Sequence, residues 1–468
     1  MKKLLWIMAI VVLAACNEAV TLPVPPTPSP SPTPIPNPPP TPNPPLPPLP
    51  TGRTLYVSPS GNDSNDGLSE TRAFRTLQRA SNQTQPGDLV LVMNGEYTNS
   101  TYSSIVLDIK RSGTANQWII YRAYPGHRPK IKLEANWVGI LLEGVSYVAI
   151  EGFDIEGNAA SVSLEYARSQ MNVLDNPVTA GSCLGIGPRY QQPDLRSHHI
   201  VVRNNRVLRC PGGGIYSVQA DYLYIENNVV AENGFYSPLN KSGISTYQNW
   251  NSDSSTDFKI FIRGNIVYKN ENRIPFYYSN PDPAKRVISD GNGIIVDDGR
   301  NTQNYGNNPG VPYRGRILIE NNLIFDNGGR GVNIFYSDNV VVRNNTLYAN
   351  ARTPDICCDL SAYFSGNVGF YNNVVYARSD RAATAVYSVT NFVFSRNLYF
   401  AANSFPNRSS TDLLGDPQFI NPSTDPGSAN FRLRAGSPAL GQGLPEQCAS
   451  TDLEGKPRAN PCTLGAHE

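Results

Sequence analysis

Between residues 230 and 316 the chain gathers side chains suited to proton transfer beside an anion. Lys241 and Arg263 lie 22 residues apart, and Asp290, Asp297 and Asp298 bracket the apolar run Ile294-Ile295-Val296. Removing a proton next to a carboxylate adds negative charge beside an anion. Such a reaction therefore needs a cation on that carboxylate, a base, and a proton source for the leaving oxygen. Lys241, Arg263 and Tyr236 are the candidate catalytic groups. Asp290, Asp297 and Asp298 offer hard oxygen ligands of the kind Ca²⁺ takes. The same stretch is dense in rings, with Tyr236, Tyr247, Trp250, Phe276, Tyr277, Tyr278, Tyr305 and Tyr313. Flat rings beside polar groups suit the apolar faces of sugars. Tyr247, Trp250, Arg273, Tyr277, Tyr278 and Arg330 are the candidate substrate-binding residues.

What would position these groups is a repeat. Asparagine pairs recur at Asn204-Asn205, Asn227-Asn228, Asn321-Asn322, Asn344-Asn345 and Asn372-Asn373, each near a short β-branched run. From Asn205 to Asn228 is 23 residues, and from Asn322 to Asn345 is again 23. Periods of this length belong to units that stack because none can bury its apolar face alone. Short strands between turn residues point to a parallel β-solenoid. An asparagine at one turn of every coil can donate to the coil above and accept from the coil below. The steps from Asn228 to Asn265 and from Asn265 to Asn322 are longer, at 37 and 57 residues. Extra residues of this kind become loops on one face, so 230–316 is expected to wall a groove.

Some motifs have plainer readings. Arg263 precedes a coil asparagine as Arg203, Arg343 and Arg396 do, which marks it as partly a repeat position. Asp290-Gly291-Asn292-Gly293 also reads as a tight turn. Asp63–Gly67 resembles half a calcium loop, but Phe74 stands where the twelfth-position Glu belongs. His198-His199 lacks further histidine partners for a metal.

The formal net charge of +1 gives no field for nucleic acid, and only 16% of residues are charged. Residues 1–16 read as an export signal, with Lys2-Lys3 ahead of an apolar Leu4–Leu13 too short to span a bilayer. Leu13-Ala14-Ala15-Cys16 resembles a bacterial lipobox. It implies acylation of Cys16 and attachment to the cell envelope, at the outer membrane or cell surface, through lipid alone. Residues 17–52 read as a proline-rich stalk, of which 21–50 form stiff polyproline spanning on the order of 90 Å. Six cysteines follow Cys16 in an oxidising compartment. Cys448 with Cys462 is the expected disulfide, Cys183 with Cys210 is compatible with one coil's separation, and Cys357-Cys358 stay unassigned.

The folded part begins near residue 53. An amphipathic stretch, Ala73–Gln83, would cover the open first coil. "LYVSPSGNDSNDG", "AFRTLQRA" and "PGDLVLVMNGEY" resemble the N-terminal module of bacterial right-handed parallel β-helix proteins, many of them similar to polysaccharide lyases. The segments "DPQF", "FRLRAGSPALGQG", "DLEGKPR" and "LGAHE" resemble the closing module of bacterial surface β-helix proteins. The resemblance implies an all-β right-handed parallel β-helix over 53–410, a short N-terminal capping helix, and a closing module over 411–468. It further implies a monomer acting on an acidic polysaccharide by β-elimination, with Lys or Arg as base and Ca²⁺ on acidic residues. A glycoside hydrolase using an aspartate pair and a non-catalytic glycan-binding or adhesive protein remain open alternatives.

Overall fold

The computed structural model describes residues 47–303 and 308–468. The signal and lipobox with Cys16, residues 17–46 of the stalk, and Tyr305 lie outside the described residues. Among the described residues no helix is long and apolar enough to cross a membrane.

Alternation within each strand builds the core. Ile200 and Val202 point inward, and the next coils supply Leu223 and Ile225, Ile260 and Ile262, Ile317 and Ile319, Val340 and Val342. All are fully or almost fully buried in one continuous cluster. The chain thereby winds as a parallel β-helix of three sheets. The first has eleven strands, from Thr54–Val57 to Thr390–Ser395. The second has eleven, from Glu96–Tyr97 to Leu413–Leu414. The third has nine, from Ile105–Ile109 to Ala382–Tyr387.

The asparagine pairs form the two-residue corner between the first and second sheets, and their members do different work. Asn204, Asn227, Asn321, Asn344 and Asn372 all have φ between 51° and 59°. Asparagine tolerates this left-handed region better than most residues. The second members stack as a buried ladder. Asn205, Asn228, Asn265, Asn322, Asn345 and Asn373 each donate Nδ2 to the Oδ1 of the next, at 2.9–3.1 Å. Each also donates Nδ2 to a backbone carbonyl of the coil before. The ladder ends where Asn397 donates its backbone N and its Nδ2 to Asp412 Oδ1, at 2.8 and 3.0 Å. A carboxylate suits that end because it only accepts.

A second ladder, not anticipated from the pairs, runs along the corner leading into the third sheet. Asn233, Asn270, Asn327 and Asn350 repeat the same bonds and end on Asp359 Oδ1. A column of glycines, Gly214, Gly243, Gly293 and Gly331, faces it. A Cβ at Gly243 would meet Asn270 Nδ2 at 2.7 Å. One coil earlier Cys183 stands in the glycine column and Cys210 in the asparagine row. Their disulfide takes the place of the missing Gly–Asn step.

At the N-terminal end the helix is shorter than the expected Ala73–Gln83. It spans Leu77–Ser81, is capped by Thr76, and buries Leu77 and Ala80 beside Phe74. At the other end, Phe419–Asn421 and Asn430–Leu433 form an antiparallel pair, and Cys448 bonds Cys462. Phe419, Phe431 and Leu464 pack on the second sheet against Leu323, Phe325 and Val374. The left-handed asparagines grip this segment from outside the coil. Asn344 Oδ1 accepts from Ala449 N at 3.1 Å, and Asn372 Oδ1 from Leu444 N at 2.7 Å.

Asn322→Ala leaves the N–H and Nδ2 of Asn265 buried without their acceptor. Each stranded donor costs about 1–3 kcal/mol, so the thermal midpoint should fall clearly. Asp412→Asn keeps an accepting oxygen at the ladder's end and should lower it less. Calorimetric melts of the two variants compare them directly, and equal losses would contradict the ladder's direction.

Candidate functional site

The long steps in the repeat do not collect in one loop. Each divides between two corners of its coil, one entering the third sheet and one leaving it. Residues 232–243 and 269–293 form one rim, and residues 248–257, 298–303 and 308–315 form the other, over strands Ile244–Tyr247 and Ile294–Asp297. An earlier insertion, 157–181, adds helices Leu164–Ser169 and Pro177–Ala180 to the first rim. The third sheet is the floor. The far rim is pinned from beneath, where Tyr313 donates to Asp221 at 2.6 Å and the buried Lys259 pairs with Asp221 at 2.7 Å. Tyr313 is thus an anchor and not a sugar platform.

Lys241, Asp290 and Arg330 meet on the near rim. The carbonyl of Lys241 accepts from Gly291 N and Asn272 Nδ2, both at 2.9 Å, which sets Asp290 beside it. Gly291 has φ +85°, and a Cβ there would lie 2.8 Å from Asn272 N, so only glycine closes this corner. Asn292 is the hub. It donates to Asp290 Oδ1 at 2.8 Å and to Ser242 Oγ at 3.2 Å, and accepts from Arg330 N at 3.0 Å. The guanidinium of Arg330 reaches Ser289 O at 3.4 Å and lies 5.2 Å from the Tyr363 ring centre. Its Nε is buried with no hydrogen-bond partner among the described residues. Asp297 projects outward from the floor between Tyr247 and Phe335.

Burial sets the charges of these groups. Lys241 is buried, and desolvation pulls its pKa from 10.5 down to about 7 against the attraction of Asp290. Burial likewise raises Asp290, opposed chiefly by Arg330. Asp297 is pushed well above the usual carboxylate range by burial and then by repulsion from Asp290 and Asp298. Burial thus moves Lys241 toward the neutral amine and Asp297 toward the protonated carboxyl, the forms in which they act as base and acid.

Other expected site residues stand elsewhere. Arg263 lies on the first sheet in a column of alternating charge, Arg122, Glu151, Arg203, Glu226, Arg263, Glu320 and Arg343. It bonds Glu226 at 2.7 Å and pairs with Glu320 at 3.7 Å. One-coil spacing placed it on the next rung but on a different face, so it is corrected to a structural role. Tyr236 is 5% exposed and packs with Ile274 and Val162, which removes it from the catalytic set. Tyr247 is 1% exposed and packs with Phe276, so it offers no face to a sugar. Asp298 leaves the metal set. Its oxygens accept from Gln248 Nε2, Thr302 N, Thr302 Oγ1 and Gln303 N, all at 2.9–3.0 Å. Trp250 lies against Arg196 and His198, toward the first sheet. Arg273 covers Phe235 at 3.8 Å and pairs with Glu271 in a separate cleft of about 620 Å³, also lined by Arg209, Lys269 and Arg352. Ion pairs from Glu271 to both Arg273 and Arg352 bridge that cleft. Tyr277 and Tyr278 stand half-buried on the near rim, with Arg286 over Tyr277 at 4.2 Å.

Ser242 and Asn292 escaped the reading of the sequence, although a signal was there. Ser242, Asn292 and Arg330 each precede a glycine of the column facing the second ladder. That position projects away from the core on successive rungs.

Residues 55–210 match the family described as "Pel9A-like, right handed beta helix region". Curated relatives align over short segments. An uncharacterized protein, YwoF, of Bacillus subtilis (strain 168) is 38% identical over 85 residues, 18% of this chain and 17% of its own length. Pectate lyase L of Thermoclostridium stercorarium is 30% identical over 125 residues, 27% of this chain and 10% of its own length. The chain thus spans less than a fifth of either relative. The crystal structure of pectate lyase Pel9A superposes with a TM-score of 0.56 at 18% identity, covering 89% of this chain and 96% of that one. The fold is a right-handed parallel β-helix.

Because the folded state favours neutral Lys241 while the unfolded chain keeps it protonated, stability should rise with pH between about 7 and 10.5. Lys241→Met should therefore raise the melting temperature most below pH 7, and the gain should fade toward pH 10.5. Melts at both ends of that window check it, and a gain independent of pH would contradict the assignment.

Proposed function

We propose that this chain acts on polysaccharide in the trough over the third sheet, as a lyase that cleaves uronate glycans by β-elimination. The observation that carries the reading is Lys241, buried and brought to a pKa of about 7 beside Asp290 and Arg330. The matches to a Pel9A-like β-helix region and to a segment of a pectate lyase support the substrate class.

In this reading the substrate carboxylate lies against the fixed positive charge of Arg330. Neutral Lys241 takes the proton from the carbon next to that carboxylate. The carbon–carbon double bond forms as the bond to the neighbouring glycosidic oxygen breaks. Protonated Asp297 delivers a proton to the departing oxygen. Ca²⁺ would compete with that proton: Asp290 and Asp297 present oxygen alone and fit a divalent cation only when both are ionised, a form in which Asp297 is no longer the proton donor. Ca²⁺ held there would neutralise uronate charge, and Asp298 stays outside the set. Export and lipid anchoring through Cys16 belong to the same proposal and are supported by the sequence alone.

A second reading rests on the same acids. Asp290 and Asp297, both raised by burial, could serve a hydrolase as base and acid. The products differ, because elimination leaves an unsaturated uronate that absorbs in the ultraviolet and hydrolysis does not.

On acidic polysaccharides the wild-type chain should generate that absorbance, and Lys241→Ala should reduce the rate by about 10²-fold or more while the variant still melts cooperatively. Full activity in Lys241→Ala removes it as base, and reducing ends without absorbance transfer the site to hydrolysis. Ca²⁺ should raise the melting temperature of the wild type and not of Asp290→Asn/Asp297→Asn. Equal shifts in the two would place any bound calcium elsewhere.

A further inference from the structure

One rung beyond Arg330, the corner into the third sheet ends in two adjacent cysteines. Cys358 opens the strand Cys358–Tyr363, and Cys357 closes the turn before it. Their Sγ atoms are 2.9 Å apart. That is inside ordinary contact between two thiols and longer than a disulfide of about 2.05 Å. Cys357 Sγ also lies 3.1 Å from Tyr363 Oη, the ring that Arg330 covers. Cys358 is fully buried, while Cys357 is partly open to solvent.

The other four described cysteines are joined as Cys183–Cys210 and Cys448–Cys462. A chain carrying two such bridges folds where thiols are oxidised. Any oxidant that closes bridges of 27 and 14 residues' separation also meets a pair whose sulfurs the corner already holds together. The strand fixes Cys358, and Ala382 N bonds the Cys357 carbonyl at 3.1 Å, so neither sulfur has far to move.

We propose that Cys357 and Cys358 form a vicinal disulfide in the mature protein, a covalent ring in the wall of the trough beneath Tyr363 and Arg330. The oxidant is a protein or small-molecule disulfide. Cys357, the more accessible thiol, attacks it as thiolate to give a mixed disulfide and release one oxidant thiol. The Cys358 thiolate then attacks Cys357 Sγ, forming the ring and releasing the second. Two S–H bonds are lost, one S–S bond forms, and two electrons with two protons leave on the reduced oxidant. The ring replaces two thiols with an apolar, oxidation-resistant surface and fixes the support under Arg330. This holds whatever reaction the trough performs.

The test uses the intact wild-type chain, exported and purified without reductant, unfolded in denaturant with an alkylating agent, and digested after Lys and Arg. Residues 353–378 form one fragment that contains both cysteines and no others. The expected fragment carries no alkyl group, is two hydrogens lighter than the dithiol, and gains two alkyl groups only after reduction. Cys357→Ser serves as control, since its fragment should then be alkylated once at Cys358 without reduction. Alkylation of the wild-type fragment before reduction, or its linkage to any other cysteine-bearing fragment, overturns the proposal.

Discussion

Buried amides stacked along the axis hold this molecule in register. Each ladder asparagine accepts through Oδ1 from one coil while its Nδ2 donates to the Oδ1 of another. A coil that slipped by one residue would strand donors and acceptors away from water, at a cost comparable to losing several hydrogen bonds. The constraint operates at two corners, so the rungs from Asn233 to Asn350 are fixed both entering and leaving the second sheet. Both ladders finish on a carboxylate, Asp412 and Asp359, because a row of donors needs a last acceptor with nothing to donate.

With the corners locked, the rest of each coil can vary. The coils from Asn228 to Asn265 and from Asn265 to Asn322 carry the longest insertions among the ladder rungs, yet from Ile260 to the ladder asparagine their first-sheet strands stay in register with their neighbours, a bulge at Phe258–Ile260 absorbing the offset. The added residues are thrown outward on both sides of the third sheet, and a trough results. The same register aligns Arg122, Glu151, Arg203, Glu226, Arg263, Glu320 and Arg343 as an alternating column on the first sheet. Opposite charges one rung apart neutralise one another there. A side chain's position along the coil, more than its chemical type, separates structural charges from reactive ones.

Reactivity at the near rim follows from burial. Lys241 in the wall and Asp297 on the floor beside it both lose water, and each shifts toward its neutral form. Arg330 cannot follow, since guanidinium stays protonated, and it remains the fixed positive charge facing the trough. Asn292 ties the group together by bonding Ser242, Asp290 and Arg330 from successive rungs. Ser242, Asn292 and Arg330 within it come from one position repeated up the stack.

Much of this architecture was legible in the chain. The 23-residue spacing of asparagine pairs and the β-branched runs beside them specified stacked coils, because only stacking satisfies both the amides and the apolar faces. The lengthened steps marked the coils that carry a wall, and the acidic and basic residues within them included Lys241, Asp290 and Asp297. Tertiary structure decided which face each residue occupies. Spacing fixes the rung but not the angle around it, so Arg263 went to the ion column, Tyr236 and Tyr247 to the packed interior, and Arg273 to another cleft. It also decided protonation, since desolvation depends on what the neighbouring coils cover, and a linear chain does not contain that information until it is wound.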